Sequence, residues 1–274
     1  MNITRRGFVK GVMGGVLGLV GLPALLKAPA LYLKRARAAL AVDLNSEDWT
    51  KHHWGFVVDA NKCIGCGVCL LACKQENNVV MEPEFNRTWV ERYVYSENDE
   101  VFVDSPEAGI EGFAHAPANV KYAGMEIEKA YFVAKLCNQC DNPPCVQVCP
   151  VGATYRTEDG VVLIDQEHCI GCRYCIQACP YGARYLVPPS GGGVTPMGYA
   201  KVADKCTWCY HRITKGLRPA CVEVCPVGAR LFGDLHDPES PVAVALRDHP
   251  PAVLKPALGT RPKVYYLGID TEVR

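Results

Sequence analysis

Three short segments of the chain share one pattern. Gly55-Phe-Val-Val-Asp59, Val161-Val-Leu-Ile-Asp165 and Ala200-Lys-Val-Ala-Asp204 each run through apolar, β-prone residues up to an aspartate. Such runs predict short strands ending in a polar turn. Arg87-Thr-Trp-Val-Glu-Arg-Tyr-Val-Tyr95 alternates polar and β-prone side chains and predicts another strand. Lys263-Val-Tyr-Tyr-Leu267 predicts the last one. Ser96 to Ala118 is acidic and carries Gly and Pro, so it predicts a surface loop, as does Val187 to Gly198 with its Pro188-Pro-Ser-Gly-Gly-Gly run. The glycines of that run do not follow the strand–GxGxxG–helix order of a nucleotide site. Gly11 to Leu26 is uncharged, but its sixteen residues include five glycines. That is short of the about 20 residues a spanning helix needs, and glycine weakens the helix further. Pro250 to Gly259 is shorter still and broken by prolines.

Each of the three matching strands leads into cysteines. All 16 cysteines fall into four sets of four. Cys63, Cys66, Cys69 and Cys73 form a C-x2-C-x2-C-x3-C run, repeated by Cys169, Cys172, Cys175 and Cys179. Cys137, Cys140, Cys145 and Cys149 follow C-x2-C-x4-C-x3-C, and Cys206, Cys209, Cys221 and Cys225 follow C-x2-C-x11-C-x3-C. Three sets close on the same tail, in Cys149-Pro-Val-Gly-Ala, Cys179-Pro-Tyr-Gly-Ala and Cys225-Pro-Val-Gly-Ala; in the first set Lys74 follows Cys73 instead. The proline lacks an N–H and stops a helical turn, and the glycine permits the reversal after it. Strand, cysteine loop, helical turn and Pro-x-Gly-Ala form an internal repeat.

This spacing points to cubane iron–sulfur clusters. A [4Fe-4S] cube takes one thiolate on each iron, and a C-x2-C-x2-C loop can wrap three corners. The fourth cysteine lies four positions after the third, one helical turn on, and in two-cluster ferredoxins it ligates the other cube. Disulfide frameworks rarely repeat C-x2-C four times, and two cysteines so close in sequence pair with strain. Structural zinc prefers two separated C-x2-C pairs, which the triplets do not resemble. The C-x3-C-x2-C triplet of a radical enzyme fails, because its third position is Glu76 after Cys73 and Gly152 after Cys149. Sixteen thiolates fill every corner of four cubes, so the expected cofactors are four [4Fe-4S] clusters with no open iron for catalysis.

Sets two and three are separated by only 19 residues and form a compact ferredoxin-like module. Set one must then pair with set four. The expected exchange places Cys63, Cys66, Cys69 and Cys225 on one cube, and Cys206, Cys209, Cys221 and Cys73 on its partner. Cys137, Cys140, Cys145 and Cys179 hold the third cube; Cys169, Cys172, Cys175 and Cys149 hold the fourth. The expected fold class is α+β: two bacterial-ferredoxin-like dicluster modules with short strands, cysteine loops and an irregular insertion. Residues 55–80 with 200–235 make module one, 81–130 the insertion, 131–190 module two and 236–274 a C-terminal extension. Lys62, Lys74, Lys135, Arg173 and Lys205 flank the sets and either offset the negative cubes or sit as solvated charges. Trp208, between Cys206 and Cys209, either shields a cube or packs in the core. His168 either donates to a sulfur or lies at the surface. No Ser/His/Asp arrangement and no paired carboxylates suggest acid–base work, so no catalytic residue is expected.

Thr4-Arg5-Arg6-Gly7-Phe8-Val9-Lys10 matches a twin-arginine export signal. Ala36-Arg37-Ala38 and Ala39-Leu40-Ala41 are candidate cleavage sites; Lys34, Arg35 and Arg37 crowd them, so retention as an anchor stays open. Residues 1–38 are read as the signal. The formal charge of zero hides an asymmetry: seven basic and no acidic residues lie in 1–38, which leaves 22 basic against 29 acidic, a net of −7, for the rest. A protein of that sign is a poor nucleic-acid binder.

The four cysteine sets, the Cys-Pro-x-Gly-Ala tails, Cys206-Thr-Trp-Cys209 and Gly259-Thr-Arg-Pro-Lys-Val-Tyr-Tyr-Leu267 resemble the iron–sulfur subunits of molybdopterin oxidoreductases. Polysulfide, tetrathionate and dimethyl-sulfoxide reductases have such subunits, as do nitrite- and sulfite-reductase-associated membrane complexes. The resemblance spans about residues 55–270. It implies a non-catalytic electron-transfer subunit of an oxidoreductase complex, without a small-molecule substrate of its own. It also implies an integral-membrane, quinone-interacting partner; with the twin-arginine signal, the expected place is the periplasmic side of a respiratory membrane complex, with a molybdopterin or cytochrome subunit as the second redox partner. An export signal on the relay itself is similar to the nitrite- and sulfite-reductase-associated complexes; the alternative is a subunit working directly with a molybdopterin-containing catalytic subunit.

Overall fold

The computed structural model describes residues 51–98, 100–113, 122, 124–188 and 201–273; the export signal expected over 1–38 lies outside them. The architecture is α+β, with short strands and one-turn helices around the cysteine loops. Strand β1 (Trp54–Asp59) leads into the first set, and helix α1 (Val68–Asn77) follows. Then come β2 (Thr88–Ser96), β3 (Val101–Asp104) and β4 (Ile127–Leu136), which ends at Cys137. Helix α2 (Pro144–Gln147), β5 (Thr154–Arg156), β6 (Val162–Ile164), α3 (Tyr174–Gln177) and β7 (Arg184–Leu186) carry the second and third sets. The fourth set occupies β8 (Ala203–Lys205), α4 (Tyr210–Ile213), α5 (Ala220–Glu223) and β9 (Arg230–Asp234). The last elements are α6 (Pro241–Asp248) and β10 (Val264–Leu267).

The strands that lead into one set pair with strands that leave another. Strand β9 runs antiparallel to β1, with Phe56 opposite Phe232 and Val58 opposite Arg230, and β10 adds in parallel on the other edge. This pairing is what brings the first and fourth sets together. Hairpins β5–β6 and β7–β8 link sets two to three and three to four. The alternation of β1 buries Phe56 and Val58 with Phe232, Val264 and Tyr266 in the main core, and Val57 on the opposite face under Val242 of α6. Helix α6 starts where Ser240 caps it, its hydroxyl accepting from Ala243 N at 3.2 Å, with Pro241 in the first turn.

Two expectations need correction. The stretch from Ser96 to Ala118 is not a plain loop over its described part. Strand β3 pairs with β2, and Arg92 clamps Asp104 across the ladder at 2.9 and 2.6 Å. Those cross-strand partners outweigh the acidic, glycine-bearing composition. Its residues 114–118, like 189–198 of the second expected loop, lie outside the described residues. The strand before the fourth set covers Ala203–Lys205, shifted toward the cysteine from the expected 200–204.

Set one also depends on a close backbone crossing. Gly67, at φ 75°, precedes α1, and a Cβ there would stand 2.5 Å from the carbonyl oxygens of Gly109 and Ile110. Gly67→Ala is expected to cost about 2 kcal/mol through the left-handed backbone and the backbone clash. That lowers the melting temperature by about 4–8 °C in an anaerobic thermal scan; an unchanged midpoint would refute the crossing.

Candidate cluster sites

The cysteine loops share one backbone device. The residue before the second cysteine of each set has positive φ: Gly65 (66°), Gln139 (45°), Gly171 (67°) and Trp208 (54°). Glycine takes this conformation freely; Gln139 and Trp208 are held there by burial. Gln139 is fully buried, donates from Nε2 to Cys206 O at 2.9 Å and accepts from Val162 N at 2.7 Å. Trp208 is 1% exposed between Phe56 and Phe232. The three Pro-x-Gly-Ala tails turn in the same way: Gly152, Gly182 and Gly228 have φ of 68°, 63° and 61° and donate to the carbonyls of Cys149, Cys179 and Cys225.

The folded protein gathers the thiols into groups. Cys63 lies within electrostatic reach of Cys69 and Cys225, and Cys69 of Cys66 and Cys225. One helical turn further along α1, Cys73 meets Cys206, Cys221 and Cys209. Those four line one enclosed cavity, walled by Phe56, Asn77, Thr88, Trp208 and Pro219. Cys137, Cys140, Cys145 and Cys179 line another, walled by Pro143, Pro144, Val162 and Arg184. Cys169 and Cys175 share a small apolar cluster with Cys145, Val162 and Ala203, and Cys149 follows α2, which packs on α3 and its Cys175. Helix α1 packs on α5 in the same way. We label the cages of the expected exchange A (Cys63, Cys66, Cys69, Cys225), B (Cys73, Cys206, Cys209, Cys221), C (Cys137, Cys140, Cys145, Cys179) and D (Cys149, Cys169, Cys172, Cys175); the contacts above gather the thiols of A, B and C, and relate Cys169 to Cys175 of D.

The residues fit four-iron cubes on three grounds. First, all sixteen thiols are unpaired, and in cages B and C they surround a cavity. Among the described residues no three His, Cys, Asp or Glu side chains converge on a single-ion centre. Second, burial pushes several thiols up, among them Cys140 to about 12, Cys221 to about 11, and Cys73 well above its ordinary value. A free thiol there keeps its proton; ligation by a metal replaces it. Cys149 shifts the other way. Burial raises it, but N–H groups of Thr154, Val151 and Ala153 outweigh that and leave it lowered. Third, buried donors beside the cages have no protein acceptor, namely Trp208 Nε1, Arg184 Nε and Arg230 Nη1. Backbone N–H groups also reach sulfur: Thr154 to Cys149, Ala203 to Cys169 and Trp208 to Cys206 at 3.4 Å, and Ala229 to Cys225 at 3.3 Å.

Cage B has a supporting network that the spacing does not announce. Asn77 Nδ2 lies 3.7 Å from Cys73 Sγ and from Cys209 Sγ. Its Oδ1 accepts from Arg87 at 2.8 Å, and Arg87 forms a two-pronged ion pair with Asp204 at 2.8 Å. Of the five flanking cations, only Lys205 sits among thiols with its charge directed between cages. Lys62 pairs with Asp59 near the surface, Arg173 is exposed, Lys135 pairs with Glu91, and Lys74 beside Cys73 is taken up by the carbonyls of Val80, Glu82 and Phe85. His168 is exposed and bonds Asp165 at 2.7 Å. Trp208 both packs in the core and lines cage B.

Models of 4Fe-4S dicluster domains match residues 62–153 and 128–235. A tetrathionate reductase subunit of Salmonella typhimurium is 40% identical over 222 residues, 80% of this chain and 74% of the relative. A putative dimethyl sulfoxide reductase iron-sulfur subunit of Halobacterium salinarum is also 40% identical over 222 residues, covering 78% and 79%. A polysulfide reductase chain of Wolinella succinogenes is 35% identical over 213 residues, covering 77% and 92%.

Cys175→Ala is expected to remove one cluster signal in electron paramagnetic resonance and to disturb that of its neighbour, because Cys145 of cage C packs in the same apolar cluster; four intact signals would contradict the grouping. Stripping iron from the protein should collapse near-ultraviolet circular dichroism, since buried thiols and donors then lose their partners. A stripped protein with native dichroism would show that the cages stand without metal.

Proposed function

The protein belongs to the 4Fe-4S dicluster iron–sulfur subunits of molybdopterin reductases, and on that premise we propose that it relays electrons through four clusters between a quinone-linked membrane subunit and a catalytic oxidoreductase subunit on the outer side of a respiratory membrane. In this reading cages A to D each hold one [4Fe-4S] cluster, with module one built from residues 55–80 and 200–235 and module two from 131–190. The clusters, when bound, supply one-electron chemistry. The protein's own part is to hold the cages in succession, dry on the inside and accessible at the ends.

One observation carries the reading. All four thiols of cage B are buried, as are three of cage C, whereas Cys66 in cage A and Cys172 in cage D are exposed. The inner cages have neighbours on both sides: Cys221 of B lies within reach of Cys69 of A, and Cys206 of B within reach of Cys137 of C. At the open ends apolar side chains face solvent, Ile64 at 55% exposure beside Cys66, and Ile170 at 64% and Tyr174 at 61% beside Cys172. Apolar surface next to an accessible cluster suits a redox partner at each end. The relatives are named as parts of tetrathionate, dimethyl sulfoxide and polysulfide reductases. That favours the alternative drawn from the sequence, a catalytic molybdopterin-containing partner, over a cytochrome one. The twin-arginine segment supports export in folded, cluster-loaded form. Among the described residues no helix is long and apolar enough to cross a membrane, so quinone chemistry is assigned to a partner.

Anaerobically purified protein should contain about sixteen iron and sixteen acid-labile sulfide per polypeptide, four of each per cube. Affinity capture from detergent-solubilised membranes should bring down a multi-span subunit and a molybdopterin subunit. Colourless, iron-free protein would end the relay reading; full iron with no membrane partner would end the placement in a membrane complex.

A further inference from the structure

Seven basic side chains are buried among the described residues, and they divide by what balances them. Arg87 pairs with Asp204, Lys135 with Glu91 and Lys263 with Asp141. Lys74 is held by the carbonyl oxygens of Val80, Glu82 and Phe85. Arg184, Lys205 and Arg230 have no carboxylate partner among the described residues, although they are 4%, 0% and 2% exposed. A buried charge without an opposite charge is expensive, so the anion must come from elsewhere.

Their neighbours are thiols, and each cation lies within electrostatic reach of thiols from two cages. Arg230 lies among Cys63 and Cys69 of cage A and Cys221 of cage B. Lys205 lies between Cys206 of cage B and Cys137 and Cys145 of cage C, its ammonium donating to the carbonyls of Val162 and Cys206. Arg184 lies among Cys137, Cys145 and Cys179 of cage C and Cys175 of cage D, with Nη2 2.9 Å from Cys145 Sγ. The order A, Arg230, B, Lys205, C, Arg184, D leaves no gap without a cation and puts none of the three elsewhere.

We propose that Arg230, Lys205 and Arg184 are the counter-ions of the relay, one in each gap between successive cages, and that each raises the reduction potentials of the two clusters it separates. The proposal rests on the reading of the four cages as cluster sites. An oxidised cube with four thiolates carries about two negative charges, and a one-electron reduction adds a third. A fixed cation a few ångströms away favours the more negative, reduced state, and it does so strongly where water is excluded. Because each cation sits between two cages, it keeps adjacent potentials moving together.

The test is a potentiometric titration of the anaerobically purified full-length protein, followed by electron paramagnetic resonance. Neutral variants Arg230→Gln, Lys205→Met and Arg184→Gln are compared with Arg230→Lys, Lys205→Arg and Arg184→Lys. Each neutral variant should lower two of the four midpoints, each by about tenfold in the reduction equilibrium, about 59 mV for one electron. Arg230 and Lys205 variants should share one shifted cluster, Lys205 and Arg184 variants another, and Arg230 and Arg184 variants none. The charge-keeping variants should restore the wild-type midpoints. Failure of a neutral variant to load its two flanking clusters, with loading regained in the charge-keeping partner, supports the same conclusion. Unmoved midpoints, equal movement of all four, or equal effects of neutral and charge-keeping variants overturn it while leaving four clusters in place. Fewer than four clusters in the wild type overturns the cage reading itself.

Discussion

The structure depends on one geometric constraint, seen on α1: the third and fourth cysteines of a set lie one helical turn apart and meet different groups of thiols. On α1, Cys69 joins Cys63, Cys66 and Cys225, while Cys73 joins Cys206, Cys209 and Cys221. A short helix that serves two cages forces them to be neighbours, and it forces the set that completes each cage to come from elsewhere in the sequence. The β1–β9 pairing and the α1–α5 contact meet that demand for sets one and four. The α2–α3 contact meets it for sets two and three.

Around these cages the protein spends polar groups where most cores use apolar ones. Trp208, Phe56 and Phe232 exclude water from one side of cage B, but Asn77, Arg87 and Asp204 close the other with hydrogen bonds. Buried ionic arrangements of that kind gain little as stability alone; their position beside sulfur gives them a different use. Gln139 and Lys205 both reach from the surroundings of cage C to the carbonyl of Cys206 in cage B. Buried polar groups therefore link the surroundings of cages B and C.

The insertion shows how local composition was overruled. Its acidic, glycine-bearing stretch reads as a loop, yet Val101-Phe-Val-Asp104 finds the free edge of β2 and an arginine to answer its aspartate. The same sheet ends with β4 delivering Cys137 into its cage, so the insertion is tied to the site it seemed to interrupt. Among the flanking cations, adjacency to a cysteine in sequence separated Lys205 from Lys62 and Arg173 only after folding. Arg184 and Arg230 each stand five residues after the last cysteine of a set, the first residue of the strand that leaves it. That regularity is visible in the sequence and acquires meaning only once the strands are placed.

The sequence by itself determined the donor chemistry, the repeat and the turn residues, because ligand spacing, proline and glycine act over a few bonds. It also exposed the lead-in strands, whose apolar runs are local. Which buried cations lack carboxylate partners, which thiols reach the surface and how β10 joins β1 were decided by the tertiary structure alone. Those outcomes depend on contacts between residues tens to hundreds of positions apart, and electrostatic balance in a dry interior belongs to the assembled neighbours and not to any segment.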